Sequence, residues 1–124
     1  MARILSISYD ETLLRTRELM LEWAGHQVTS ALGFQDALAG CTTSDFDLAI
    51  IGHSIPGNDK KKLIEGFRRH NPKGVVIALT RAGEPRLAEV DHYISPGDPE
   101  DLLRTLSWII NPASERRAKL SRIK

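Results

Sequence analysis

Two short stretches of the chain, Leu48-Ala49-Ile50-Ile51 and Val75-Val76-Ile77-Ala78-Leu79, are apolar at every position. Successive side chains of a strand point to opposite faces, so such a run leaves no face for water and belongs in a sheet covered on both sides. Parallel sheets have that property, because the crossovers between neighbouring parallel strands lay helices over the faces. The rest of the sequence is read for those strands and crossovers.

Arg3 to Ile7 reads as a first strand and Val28 to Ala31 as a second. Between them, residues 12–24 put Leu13, Arg17, Met20, Leu21 and Ala24 at helical intervals, and Gly25 can take the left-handed conformation that closes a helix. Phe34 to Ala39 reads as a short second helix ending near Gly40. Asp59 reads as the N-cap of a third, in which Leu63, Ile64, Phe67 and Arg68 share a face until Asn71-Pro72 stops it. After the run 75–79, the stretch from Arg81 to His92 holds only a short helix once Gly83 and Pro85 are allowed for, and Tyr93-Ile94 begins a last short strand. Asp98-Pro99-Glu100-Asp101 is a strong helix start, with an N-cap, a proline at the first helical position and acids in the first turn. Leu102, Leu103, Leu106, Ile109 and Ile110 give that helix its buried face. Trp23 and Trp108, late in their helices, read as packing residues rather than base-stacking platforms. Five strands alternating with five helical segments predict a doubly wound α/β domain. In such sheets, sites sit beyond the carboxyl ends of the strands.

The 124 residues are one domain's worth, and 41% apolar with 27% charged residues is ordinary globular composition, against a disordered, fibrous or membrane-spanning chain. The net charge is +1, but it is unevenly spread: residues 113–124 carry Arg116, Arg117, Lys119, Arg122 and Lys124 against Glu115 alone. A mildly acidic body, 1–112, is therefore expected to end in a basic tail, 113–124. Without interleaved aromatics the tail predicts only weak, salt-sensitive attraction to nucleic acid. The lone Cys41 forms no internal disulfide, which fits a reducing, cytoplasmic setting, and no secretory signal is read in the opening residues.

The stretch Phe46-Asp47-Leu48-Ala49-Ile50-Ile51-Gly52-His53-Ser54-Ile55-Pro56-Gly57-Asn58-Asp59 resembles the third strand and following loop of bacterial response regulator receiver domains. The likeness continues through Arg3-Ile4-Leu5, Ala24-Gly25, Ile77-Ala78-Leu79-Thr80, His92-Tyr93-Ile94-Ser95 and Asp98-Pro99-Glu100-Asp101-Leu102-Leu103, in the family's order. It implies a flavodoxin-like sheet in the order 2-1-3-4-5. It also implies a signalling role in which an aspartate takes a phosphoryl group from a partner histidine kinase. The span from Thr80 to Tyr93 is roughly half a dozen residues shorter than the family's usual one, so the fourth helix is expected to be shortened or missing.

Carried over by position, the family's chemistry is largely absent. Its acidic pair, which holds Mg²⁺, falls on Ser8 and Tyr9, with Asp10 adjacent. Its phospho-acceptor aspartate falls on Gly52, its hydroxyl is kept as Thr80, and its lysine falls on Ser95 or Pro96. Losing both signs of charge together is coherent, since a lysine without its carboxylates gains no pair yet still loses hydration. His53 follows the vacant acceptor position, where a loop histidine with a local hydrogen bond is the plainer reading and a chemical role the sharper one. Tyr93 matches the family's switch aromatic.

The resemblance thus implies a degenerate receiver that takes no phosphoryl group, needs no metal or cofactor and is not an enzyme. It would act by protein association, its face drawn from Tyr93, Leu102 and Trp108, with an unidentified signalling protein or a second copy as partner. The competing expectation is a small flavodoxin-like enzyme or ligand-binding protein using Ser8, His53 and Asp10. No Gly-x-Ser-x-Gly elbow presents the serine, which weighs against a hydrolase.

Overall fold

In the computed structural model, which describes residues 2–81 and 89–110, the apolar runs are strands of one sheet. The strands are β1 (Arg3–Ser8), β2 (Gln27–Leu32), β3 (Leu48–Ile51), β4 (Val75–Leu79) and β5 (His92–Ile94). The helices are α1 (Glu11–Trp23), α2 (Gly33–Cys41), α3 (Gly57–His70) and α4 (Pro99–Ile110). The order is β2-β1-β3-β4-β5, with every neighbouring pair parallel, as the resemblance implied. Register places Ile4 between Val28 and Leu48, and Ile50 beside Ile77.

Alternation along the strands builds two cores from one sheet. Leu5, Ile7, Ala49, Ile51 and Val76 pack with Ala37 and Cys41 of α2 and with Leu63, Ile64 and Phe67 of α3. Ile4, Leu48, Ile50, Ile77, Leu79 and Ile94 pack on the other face with Leu21 of α1 and Leu102 and Leu106 of α4. Each such side chain contributes about 1.5–3 kcal/mol by leaving water, which is why β3 admits no polar residue. The chain enters β3 through a polar clasp. Asn71, 6% exposed, donates to the Thr43 carbonyl (2.7 Å) and accepts the Phe46 N–H (3.3 Å).

Several helix ends follow the sequence reading. Asp10 caps α1 by accepting the Leu13 N–H (3.1 Å), and Gly25 turns the chain at φ +95°, a conformation that costs a residue with Cβ more than it costs glycine. Asp98 caps α4 by accepting the Asp101 N–H (2.9 Å), with Pro99 the first helical residue.

Other expectations are corrected. Helix α3 begins at Gly57, after Pro56, so Asp59 lies inside its first turn rather than capping it. The carboxylate of Asp59 instead accepts the Tyr9 hydroxyl (2.8 Å). On α1 the buried stripe is Leu14, Arg17 and Leu21, while Leu13 is 40% and Trp23 88% exposed. Trp23 is not a packing residue: two positions past Leu21 it lies more than half a turn around the helix, over solvent. Leu102 is 3% exposed, so it belongs to the core and leaves Tyr93 and Trp108 as the surface members of the expected interaction face. The described residues contain four helices. Most of the segment expected to hold a stunted helix, and the basic tail 113–124, lie outside the described residues.

Candidate functional site

The carboxyl ends of β1, β3, β4 and β5 meet at one edge, and they gather Ser8, Asp10, Gly52, His53, Thr80, Ser95 and Pro96 there. The local bonds decide what each can do. Ser8 is 1% exposed. Its hydroxyl donates to the Asp10 carbonyl (3.1 Å) and accepts the Asp10 N–H (3.0 Å). This short side-chain turn leads the chain into α1 and occupies the oxygen. The Asp10 carboxylate holds the first turn of α1, as described. Tyr9 donates its phenol to Asp59 in the first turn of α3 (2.8 Å), and burial, then the hydrogen bond and charge of Asp59, push its pKa up to about 12.

Gly52 lies directly after β3, its N–H donating to the Ile7 carbonyl (3.0 Å). A Cβ built there would meet that carbonyl oxygen at 3.0 Å and Ser8 Cα at 3.5 Å. A side chain at this position therefore needs the β1 backbone to give by a few tenths of an ångström. Arg81 Nη2 donates to His53 Nε2 (3.2 Å), and since a guanidinium only donates, that ring nitrogen is the acceptor. Thr80 is half-buried, and its N–H donates to the Ile94 carbonyl (2.9 Å). Ser8, Asp10 and His53 therefore share an edge, with Ser8 bonded to the Asp10 backbone, the Asp10 carboxylate to the Leu13 N–H, and His53 to Arg81.

Mg²⁺ requires several hard oxygen ligands in near-octahedral array. Among the described residues no three His, Cys, Asp or Glu side chains come together to hold a metal ion. Ser8, Tyr9 and Asp10 are each committed to neighbouring protein groups, so this edge does not fit the ion.

Beside the edge, between α1 and α4, lies a cleft of about 190 Å³ whose lining includes Leu13, Arg17, Met20, His53, Leu79, Ser95, Pro96 and Leu102. Ser95, Pro96 and His53 thus come together with a residue that sequence reasoning placed on a helix face but not in the site. Arg17 is 8% exposed. Its Nη1 donates to Ser6 Oγ (3.3 Å) and to the Ile7 carbonyl (3.3 Å), and burial pulls its pKa down to about 10. The signal for it was a charged residue inside the stripe Leu14, Arg17, Leu21.

No family model matches the sequence, and no curated protein does. Solved structures do match. A response regulator receiver domain protein from Methanospirillum hungatei superposes with a TM-score of 0.76 at 25% identity, covering 94% of this chain and 98% of that one. A receiver domain protein from Clostridium thermocellum gives 0.73 at 24% identity, covering 97% and 99%. A structure of the Thermotoga maritima response regulator TrrA with the histidine kinase ThkA gives 0.68 at 21%, covering 85% and 94%. This strand order and end-to-end overlap give the chain the fold of response regulator receiver domains.

Proposed function

We propose that the chain is a receiver-type signalling module that takes up no phosphoryl group and works by protein association. The observation that carries the reading is the edge itself. Gly52, without a side chain, stands where the receiver's phospho-acceptor is expected, and the Ile7 carbonyl oxygen lies 3.0 Å from a would-be Cβ. Transfer to an aspartate needs a nucleophile, a cation to neutralise the phosphate and a metal to bridge it. Here the nucleophile's position lacks a side chain, the acidic pair's positions hold Ser8 and Tyr9, and the lysine's position is Ser95 or Pro96.

A protein-binding role gains support from the surface. Trp23, 88% exposed, and Leu19, 60% exposed, lie one turn apart on the outer side of α1. Large exposed aromatics of this kind carry much of the binding energy at protein interfaces. Tyr93 and Trp108, half-buried and exposed respectively, offer a second such surface near β5 and α4. The kinase complex of TrrA makes a signalling protein the natural class of partner.

Incubation with acetyl phosphate and Mg²⁺, read by intact mass, is expected to leave the mass unchanged, and a beryllofluoride mimic with Mg²⁺ is expected to leave partner affinity unchanged. A hydroxylamine-labile acyl phosphate on any residue overturns the proposal.

A further inference from the structure

We propose that the cleft between α1 and α4 binds a small amphiphilic carboxylate, whose charge is taken by Arg17 and whose apolar body is taken by Met20, Leu79 and Leu102. The argument begins with charge. A guanidinium withdrawn from water is costly unless an anion accompanies it, and among the described residues no carboxylate pairs with Arg17. Its hydrogen bonds come from one terminal nitrogen, to the neutral Ser6 hydroxyl and the Ile7 carbonyl, both at 3.3 Å. Nε and Nη2 hold no hydrogen bond to a described residue and are not sealed from solvent, so they stay open to a planar, two-oxygen acceptor, the geometry that a carboxylate matches.

Shape and polarity narrow the class. The cleft is about 190 Å³, below the roughly 300–1,000 Å³ of sites for drug-sized ligands, so the occupant is fragment-sized. Its walls are mainly apolar, which selects a carboxylate on a hydrocarbon or aromatic body over a compact inorganic anion. The first turn of α4 also borders the cleft, but the Asp98 carboxylate already sits on the Asp101 N–H, so the charge partner is Arg17 rather than the helix terminus. His53, its Nε2 turned to Arg81, adds a polar group at the mouth.

The test is an amide NMR titration of the full chain with benzoate, benzamide and inorganic phosphate at millimolar concentrations, the range in which a fragment of this size binds. Benzoate is expected to give saturable shifts confined to residues around Leu13 to Met20 and Gly97 to Leu102. Benzamide, isosteric but uncharged, and phosphate, charged but without an apolar body, are each expected to bind at least about tenfold more weakly. Arg17→Met, with its fold checked by thermal melting, is expected to lose benzoate binding by a similar factor. The proposal is overturned by benzamide binding as well as benzoate, by phosphate binding as well as benzoate, by shifts that do not saturate, or by a folded Arg17→Met that binds undiminished. The benzoate, benzamide and phosphate comparison uses the unaltered chain, so it decides the matter even if the variant does not fold.

Discussion

On the proposed reading, Gly52 is the residue that separates this chain from a phosphorylatable receiver. Restoring a carboxylate by Gly52→Asp puts a Cβ at 3.0 Å from the Ile7 carbonyl oxygen, so β1 or β3 must give way. We expect a loss of about 1–3 kcal/mol in chemical denaturation, and no phosphoryl uptake from acetyl phosphate, because the cation and metal ligands are still missing. Cys41 makes a second residue-scale case. It is fully buried on α2, and burial pushes its thiol pKa up to about 12 from 9.0. The folded chain therefore holds that proton where the unfolded chain releases it, and stability falls as pH rises above about 9, by about 1 kcal/mol at pH 10. Tyr9, raised from 10.0 to about 12, adds in the same direction at higher pH, while Arg17, lowered from 12.5 to about 10, opposes it only above about 10. Denaturation midpoints across this range check the sign, and Cys41→Ala should flatten the fall.

Among the elements, the sheet's inner strands were the most legible and the helix faces less so. β3 and β4 declare themselves because every residue of each is apolar. On helix α1 periodicity put Arg17 and Leu21 on the inner face, as they are, but Leu13 where Leu14 stands: both are leucine, and only docking on the sheet decides which is buried. The start of α3 was misplaced because Asp59 has the chemistry of a cap, yet Tyr9, fifty residues away in sequence, claims its carboxylate. Asn71 shows the same non-local logic in a loop. It joins the end of α3 to the approach to β3 through the Thr43 carbonyl and the Phe46 N–H. We expect Asn71→Ala to destabilise the fold by about 1–2 kcal/mol, because the part-buried Thr43 carbonyl and Phe46 N–H lose their bonds. Hydrogen exchange should rise first at Phe46 and in β3.

On the scale of the whole molecule, one sheet serves two cores. Phe67 lies in the core under α2 and α3, and Leu106 in the core under α1 and α4. Because the strands between them are shared, Phe67→Ala and Leu106→Ala, each costing roughly 2–5 kcal/mol, should both lower a single cooperative transition. Far-UV circular dichroism and tryptophan fluorescence are expected to report the same midpoint in each variant, and separate transitions would show that the cores melt independently. The sequence by itself determined the class of fold, since fully apolar runs separated by crossover-length segments admit little besides a doubly wound parallel sheet. It also put Ser8, Tyr9 and Gly52 at the positions that the resemblance matches to the receiver's carboxylates. Only the tertiary structure decided where those side chains spend their hydrogen bonds: Ser8 on Asp10, Tyr9 on Asp59, His53 on Arg81. It alone placed Arg17 at the wall of a cleft. Periodicity reports which side of an element faces inward, but the partner that a buried polar group finds there comes from a distant part of the chain, at a position that local pattern does not encode.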